Sequence, residues 1–294
     1  MKKLNIVIII LLLICVLFTG CSKRNAVVVV GAKDFTEQYI LGYMLTILIE
    51  SNTNLTTEYK SDVASDVLFA ASRTGAVDVF VDYTGTVYGS YLKNSEVRSA
   101  EEIHEITARE LSDRYDLLMR DLLGFNNTFA LAVRADTAEK YDLKTISDLA
   151  RVSSDFIFGG HAEILNRYDG IPNLKIVYNM SFKEERVVDP ILRYDAIADD
   201  EVQVIEVFAT DGMLLDSGLV VLEDDKQFFP AYDGVVIIRK ETAQKHPELL
   251  VELDKLVGLL TDETMRGLNY LVNVMGEYPK DVAEEFLKKN DLIG

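Results

Sequence analysis

The chain has 294 residues and a formal net charge of −18, with 48 acidic against 30 basic side chains. That balance argues against a nucleic-acid partner, because no basic stripe is present to replace phosphate counterions. Its two cysteines, Cys15 and Cys21, both lie close to the N-terminus, so the rest of the chain has neither a disulfide nor thiolate metal chemistry to draw on.

The first segment reads as an export signal. Lys2 and Lys3 precede an apolar run from Ile6 to Phe18, thirteen residues long. A membrane-spanning helix needs roughly 20, whereas this length suits the apolar centre of a signal peptide. The run ends in Phe18-Thr19-Gly20-Cys21, which resembles a bacterial lipobox with Phe18 where leucine is usual; an uncleaved anchor is the alternative. The expectation is a signal peptide over 1–20, lipidation at Cys21, a polar tether over 21–26, and a globular part held at the outer face of the membrane. Several acyl chains on such a cysteine make the attachment durable.

Beyond the tether, strand and helix patterns alternate, which predicts an α/β fold with largely parallel sheets. Ala26 to Val30 reads as a buried strand ending at Gly31. Thr36 is placed to cap a helix over Glu37 to Glu50, where Ile40, Leu41, Met44 and Leu48 fall at helical spacing. A helix at Ser65 to Ser72 stops near Gly75, and a strand at Val77 to Val81 runs into Asp82-Tyr83-Thr84-Gly85-Thr86. Helix is predicted again over Ala100 to Tyr115, and strand over Ala130 to Val133. A short helix follows at Leu143 to Ala150, then a strand at Phe156 to Phe158. Gly159-Gly160 is read as a sharp turn into a helix over Ala162 to Asn166. Val202 to Phe208, Val220-Val221 and Val235 to Ile238 are the remaining strands. Helices close the chain at Pro247 to Thr261, Asp262 to Glu277 and Asp281 to Asn290. Lys33, Tyr83 to Thr86 and Phe208 to Gly212 thereby lie at strand carboxyl ends, where parallel α/β sheets bind ligands.

Enzymatic signatures are missing. Gly31-Ala32-Lys33 lacks the phosphate-loop spacing, and no GxSxG elbow exists. The three histidines, His104, His161 and His246, are far apart; the first and last sit in charged helical surroundings and read as solvated, whereas His161 follows the glycine pair into a loop that can approach a cleft. No cofactor or metal site is expected.

Several segments carry a family resemblance. Val30-Gly31-Ala32-Lys33-Asp34-Phe35-Thr36-Glu37-Gln38, Asp82-Tyr83-Thr84-Gly85-Thr86 and Phe125-Asn126-Asn127-Thr128-Phe129-Ala130-Leu131 recur in order. They are followed by Arg167-Tyr168-Asp169-Gly170, Thr210-Asp211-Gly212, Leu222-Glu223-Asp224-Asp225-Lys226 and Phe229-Pro230-Ala231-Tyr232. In this register the chain resembles the osmoprotectant-binding proteins of ABC importers, the glycine betaine, carnitine and choline group. The resemblance implies a two-lobed, type II periplasmic-binding-protein-like fold, each lobe a mixed sheet flanked by helices. One lobe would comprise 27–128 and 234–294 and the other 129–233, joined by two hinge crossovers that close on the ligand. Its partners would be a permease and an ATPase, and the protein a monomer that is not an enzyme.

Carried over by position, the resemblance implies an aromatic cage of Tyr83, Phe129, Phe208 and Tyr232. Lys33 and Arg167 would hold the carboxylate of a betaine, and Thr86 would add a hydroxyl. A quaternary ammonium has no N–H to donate, so ring quadrupoles must recognise it, each contributing about 0.5–2 kcal/mol. With 14 Tyr and 13 Phe in the chain, composition alone would not single out these four. Phe129 and Phe208 stand where the family commonly has tyrosine. Loss of two hydroxyls shifts the expected ligand from glycine betaine toward choline, carnitine or a bulkier betaine such as ergothioneine. An amino-acid or small-amine binder, with Arg167 on a carboxylate, is the second reading, and an extracytoplasmic enzyme the third.

Overall fold

The computed structural model describes residues 27–96, 98–162, 164–167, 169–189 and 192–294; the expected signal peptide, Cys21 and the tether lie outside them. Among these residues ten strands form two five-stranded sheets. The first takes β1 (Val27–Gly31), β2 (Thr56–Lys60), β3 (Val79–Tyr83), β4 (Leu117–Asn126) and β10 (Asp233–Arg239), in the order β2-β1-β3-β10-β4. The second takes β5 (Phe129–Arg134), β6 (Ile157–Gly160), β7 (Glu184–Val187), β8 (Val204–Phe208) and β9 (Leu219–Leu222), in the order β7-β6-β8-β5-β9. The chain passes to the second sheet between β4 and β5 and returns between β9 and β10.

The fold is α/β, but its sheets are mixed rather than largely parallel. β1 runs parallel to β2 and β3, whereas β10 is antiparallel to both β3 and β4. Likewise β6 is parallel to β7 and β8, and β5 is antiparallel to β8 and β9. The antiparallel members β10 and β5 are the strands that follow the two passages, so each enters its sheet against the direction set by the βαβ units.

Helix α1 (Thr36–Asn52) is the centre of the first core: Ile40, Leu41, Met44, Leu45, Leu48 and Ile49 are fully buried. A helix apolar on most of its circumference needs cover on every side. α1 finds it under the first sheet and against three C-terminal helices, numbered below. Thr36 does not cap α1. Phe35 occupies the cap in an extended conformation, and the Thr36 hydroxyl instead donates to Asn273 Oδ1 at 2.5 Å. The opposite sheet face is covered by α2 (Ser65–Thr74) and α3 (Ala100–Tyr115), the latter opened by a capping box between Ser99 and Glu102.

In the second sheet, α4 (Ala135–Tyr141), α6 (Ile171–Tyr178), α7 (Arg193–Ala198) and β7 are elements that sequence reading did not anticipate. α5 (Ile146–Ala150) is shorter than expected because Thr145 and Asp148 form its capping box. The predicted helix over 162–166 is absent: its described residues are turns. Nor do Gly159 and Gly160 turn sharply, since both continue β6. The C-terminal stretch breaks into α8 (Lys240–Lys245), α9 (Glu248–Leu253), α10 (Asp262–Asn273) and α11 (Pro279–Lys289); the last three cover α1. β4 escaped prediction because Arg120, Asp121 and Gly124 interrupt its alternation; Arg120 leaves the sheet to grip Asp254 through two nitrogens, at 2.8 and 2.5 Å.

Candidate ligand site

Two strand ends place the first pair of rings. Phe129 opens β5 and Phe208 closes β8, and the two are direct partners in the antiparallel ladder. Opposite residues project from the same face, and the ring centroids are 5.2 Å apart at 35°. Tyr232 comes from the returning passage, one residue before β10, and meets Phe129 edge-on at 5.8 Å and 81°. Gly85 makes that approach possible: a Cβ there would lie 2.8 Å from Tyr232 Cε1 and 2.7 Å from the Ala231 carbonyl oxygen. Phe229 stands 6.0 Å from Phe129, and the His161 imidazole lies 6.1 Å away at 24°. Phe129 is therefore the common neighbour of four other rings.

Cations of the chain itself border this group. The Arg167 guanidinium is 5.7 Å from the Phe129 centroid. It forms a fork on Asp169, both bonds 2.7 Å, and donates to the Tyr232 hydroxyl at 3.0 Å. The Tyr232 hydroxyl in turn donates to Asp169. Burial alone would raise the Asp169 pKa, but the bonds from Arg167 and Tyr232 outweigh it and hold the carboxyl below its ordinary value. Burial and the neighbouring Asp169 push the Tyr232 phenol well above its own. On the other side, Arg193 lies 5.4 Å from the Phe208 centroid and pairs with Glu206 at 2.6 Å.

Tyr83 belongs to a second group on the first sheet, with Phe35 (6.4 Å, stacked) and Phe125 (6.4 Å, edge-on). Its hydroxyl donates to Glu37 Oε1 at 2.7 Å and accepts from Gln38 Nε2 at 3.1 Å. Burial raises the Glu37 pKa, although Glu37 also accepts from Asn127 at 3.0 Å and from Asn269 at 2.9 Å. Asn269 also donates to the Thr210 carbonyl at 2.8 Å, which ties α1 and α10 to the loop after β8. Lys33 is buried 2.6 Å from Asp82 Oδ1, its ammonium 5.0 Å from the Tyr83 ring centroid. Asp82 further accepts from the Tyr91 hydroxyl at 2.6 Å.

Of the residues expected at the site, the structure brings Phe129, Phe208, Tyr232 and Arg167 together. It groups Tyr83 with Lys33 on the neighbouring strand ends. Thr86, half-buried, starts a π-helical turn (Thr86–Tyr91) immediately after the glycine that seats Tyr232. Both cations meant for a ligand carboxylate already hold a carboxylate of the chain. Sequence reasoning did not single out Phe229, Asp169, Arg193 or Glu37, although the first two and Glu37 lie inside the matched segments. His104 and His246 are half-buried rather than solvated.

The Asp169 pairing carries a pH signature. A depressed folded pKa contributes stability that is present above the unfolded value of about 3.9 and is lost as pH falls through the folded one. Between about pH 5 and pH 3 the unfolding midpoint of the wild-type chain is expected to fall more steeply than that of Asp169→Asn. Parallel slopes in denaturant titrations would contradict the pairing.

Residues 26–289 match the family described as the substrate binding domain of ABC-type glycine betaine transport systems. The ergothioneine transport permease/ergothioneine binding protein of Helicobacter pylori is 36% identical over 271 residues, 90% of this chain; the chain spans only 49% of that protein's length. The carnitine transport binding protein of Listeria monocytogenes is 33% identical over 275 residues, 92% of this chain and 89% of that protein. A crystal structure of a glycine betaine/carnitine/choline ABC transporter superposes with a TM-score of 0.83 at 33% identity, covering 90% of this chain and 99% of the other. With this match over nearly the whole described chain, and with two five-stranded mixed sheets of the type II periplasmic-binding-protein arrangement, the protein belongs to the family of substrate-binding domains of ABC-type glycine betaine transport systems.

Proposed function

We propose that this protein captures a quaternary-ammonium solute outside the cytoplasm and hands it to the permease and ATPase of an importer. The observation that carries the reading is Phe129, with Phe208, Tyr232, Phe229 and His161 all 5.2–6.1 Å from it, centroid to centroid. A site built of π faces suits a permanent cation that cannot donate a hydrogen bond. Phe129, Phe208 and Tyr232 supply three walls, and Tyr83 joins them from the first sheet when 27–128 with 234–294 closes on 129–233. Thr86 adds a hydroxyl at the same strand end. Lys33 and Arg167 receive the anionic end of a betaine by exchanging part of their contact with Asp82 and Asp169.

The protein acts as a monomer, without catalysis. Cys21 is the lipidation point that keeps it at the outer face of the membrane after removal of 1–20. Phenylalanine at 129 and 208 favours choline, carnitine or a bulkier betaine such as ergothioneine over glycine betaine. Calorimetric titration with those four solutes tests the reading. Micromolar binding of at least one of the first three, tighter than glycine betaine, is expected. Exclusive, tight binding of glycine betaine would overturn the preference, and binding of none the function.

A further inference from the structure

Glu206 lies on β8 two residues before Phe208, so both side chains belong to one face of the second sheet, and Glu206 is fully buried. Its Oε1 accepts from Arg193 Nη1 at 2.6 Å and lies 2.8 Å from His161 Nδ1; its Oε2 accepts from the His161 backbone N–H at 3.0 Å. Gly160 gives the carboxylate its room, because a Cβ there would stand 2.7 Å from Oε2. Held by a guanidinium and a peptide N–H, this carboxylate is an acceptor on both oxygens. Of the two uncharged tautomers of His161, this pairing selects the one with its proton on Nδ1 and a lone pair on Nε2.

That imidazole is 24° from parallel with Phe129 and 6.4 Å from Phe208, with 17% of its side chain exposed. Nε2 of that tautomer is thus an acceptor held against the two rings proposed to hold the ammonium. A trimethylammonium group has nothing to donate to it, but a substituent O–H or N–H on the same solute does. Choline and carnitine carry a hydroxyl, and an imidazole-bearing betaine carries ring N–H. Glycine betaine has neither.

We infer that His161, oriented by Glu206 and Arg193, is a specificity-determining residue that selects permanently cationic solutes bearing a hydrogen-bond donor. This rests on the quaternary-ammonium reading above. The test is calorimetric titration of choline, carnitine and glycine betaine into wild type, His161→Phe and His161→Gln. Removing one hydrogen bond in His161→Phe is expected to narrow the preference for choline and carnitine over glycine betaine by about three- to tenfold. His161→Gln, whose amide oxygen still accepts, is expected to retain most of the preference. Thermal unfolding of the unliganded variants monitors the fold, and His161→Leu repeats the acceptor loss should the phenylalanine variant not fold. Equal weakening of all three solutes, or no change in any, would overturn the role of His161 with the cage intact. Wild-type protein that binds none of these three, nor an imidazole-bearing betaine such as ergothioneine, would instead remove the reading on which the inference rests.

Discussion

Phe129→Ala is expected to weaken binding of the quaternary-ammonium solute about 30-fold or more, close to 2 kcal/mol, because the wall shared by every other ring is removed. Phe129 is 7% exposed and packs on both β8 and the returning passage. Truncation also opens a cavity, and a stability loss of about 3–5 kcal/mol accompanies it. Phe129→Leu separates the two effects. It keeps most of the apolar volume, so stability falls by less than about 1.5 kcal/mol, while the quadrupole is gone and most of the affinity loss remains. Titration calorimetry and urea unfolding on the two variants read them independently. Leucine binding as tightly as phenylalanine would show that shape alone, without the π face, holds the cation.

Lys33→Met has the second large effect, and it falls on stability. The ammonium and the Asp82 carboxylate are 2.6 Å apart, with side chains 5% and 0% exposed. A buried pair contributes little net stability, because desolvation offsets attraction, yet removing one partner leaves an uncompensated charge. Asp82 would then keep only the Tyr91 hydroxyl and the Tyr83 N–H as donors. The expected cost is about 3–5 kcal/mol. Lys33→Met combined with Asp82→Asn is expected to recover much of it, since the buried charge goes with its partner. Urea unfolding at neutral pH measures both. The double variant also isolates the ligand role: if Lys33 grips a carboxylate, carnitine and glycine betaine lose affinity while choline, which has none, does not. A double variant as unstable as the single one would refute the pair as the source of the cost.

Much of this arrangement was legible in the residues. The strand ends at Tyr83 and Phe208 follow from β-branched runs halted by Thr, Gly and Asp, and the matched segments put Phe129 and Tyr232 on either side of the same passages. What could not be read was direction and pairing. β10 and β5 look like ordinary buried strands, and nothing local tells that they run antiparallel to their neighbours. Edge strand β7, with the sequence Glu184-Glu185-Arg186-Val187, buries none of its side chains and is free to be charged, so it lacks the apolar signal of a strand. Gly159-Gly160 was legible as a special backbone site but for the wrong reason: Gly159 makes room for Val202 and Val188, and Gly160 for Phe158 and Glu206, rather than for a turn. Asp169, Glu37 and Arg193 gain their roles only when the fold brings Tyr232, Asn269 and Phe208 to them. In so acidic a chain no single carboxylate or cation announces such a partner.

The most direct test is where a bound solute sits. In a crystal structure of the protein loaded with choline, the nitrogen is expected within about 6 Å of the ring centroids of Phe129, Phe208 and Tyr232, with Tyr83 brought up to complete the enclosure. Choline found away from Phe129, or held by carboxylates with no ring face toward its methyl groups, would contradict recognition by π faces.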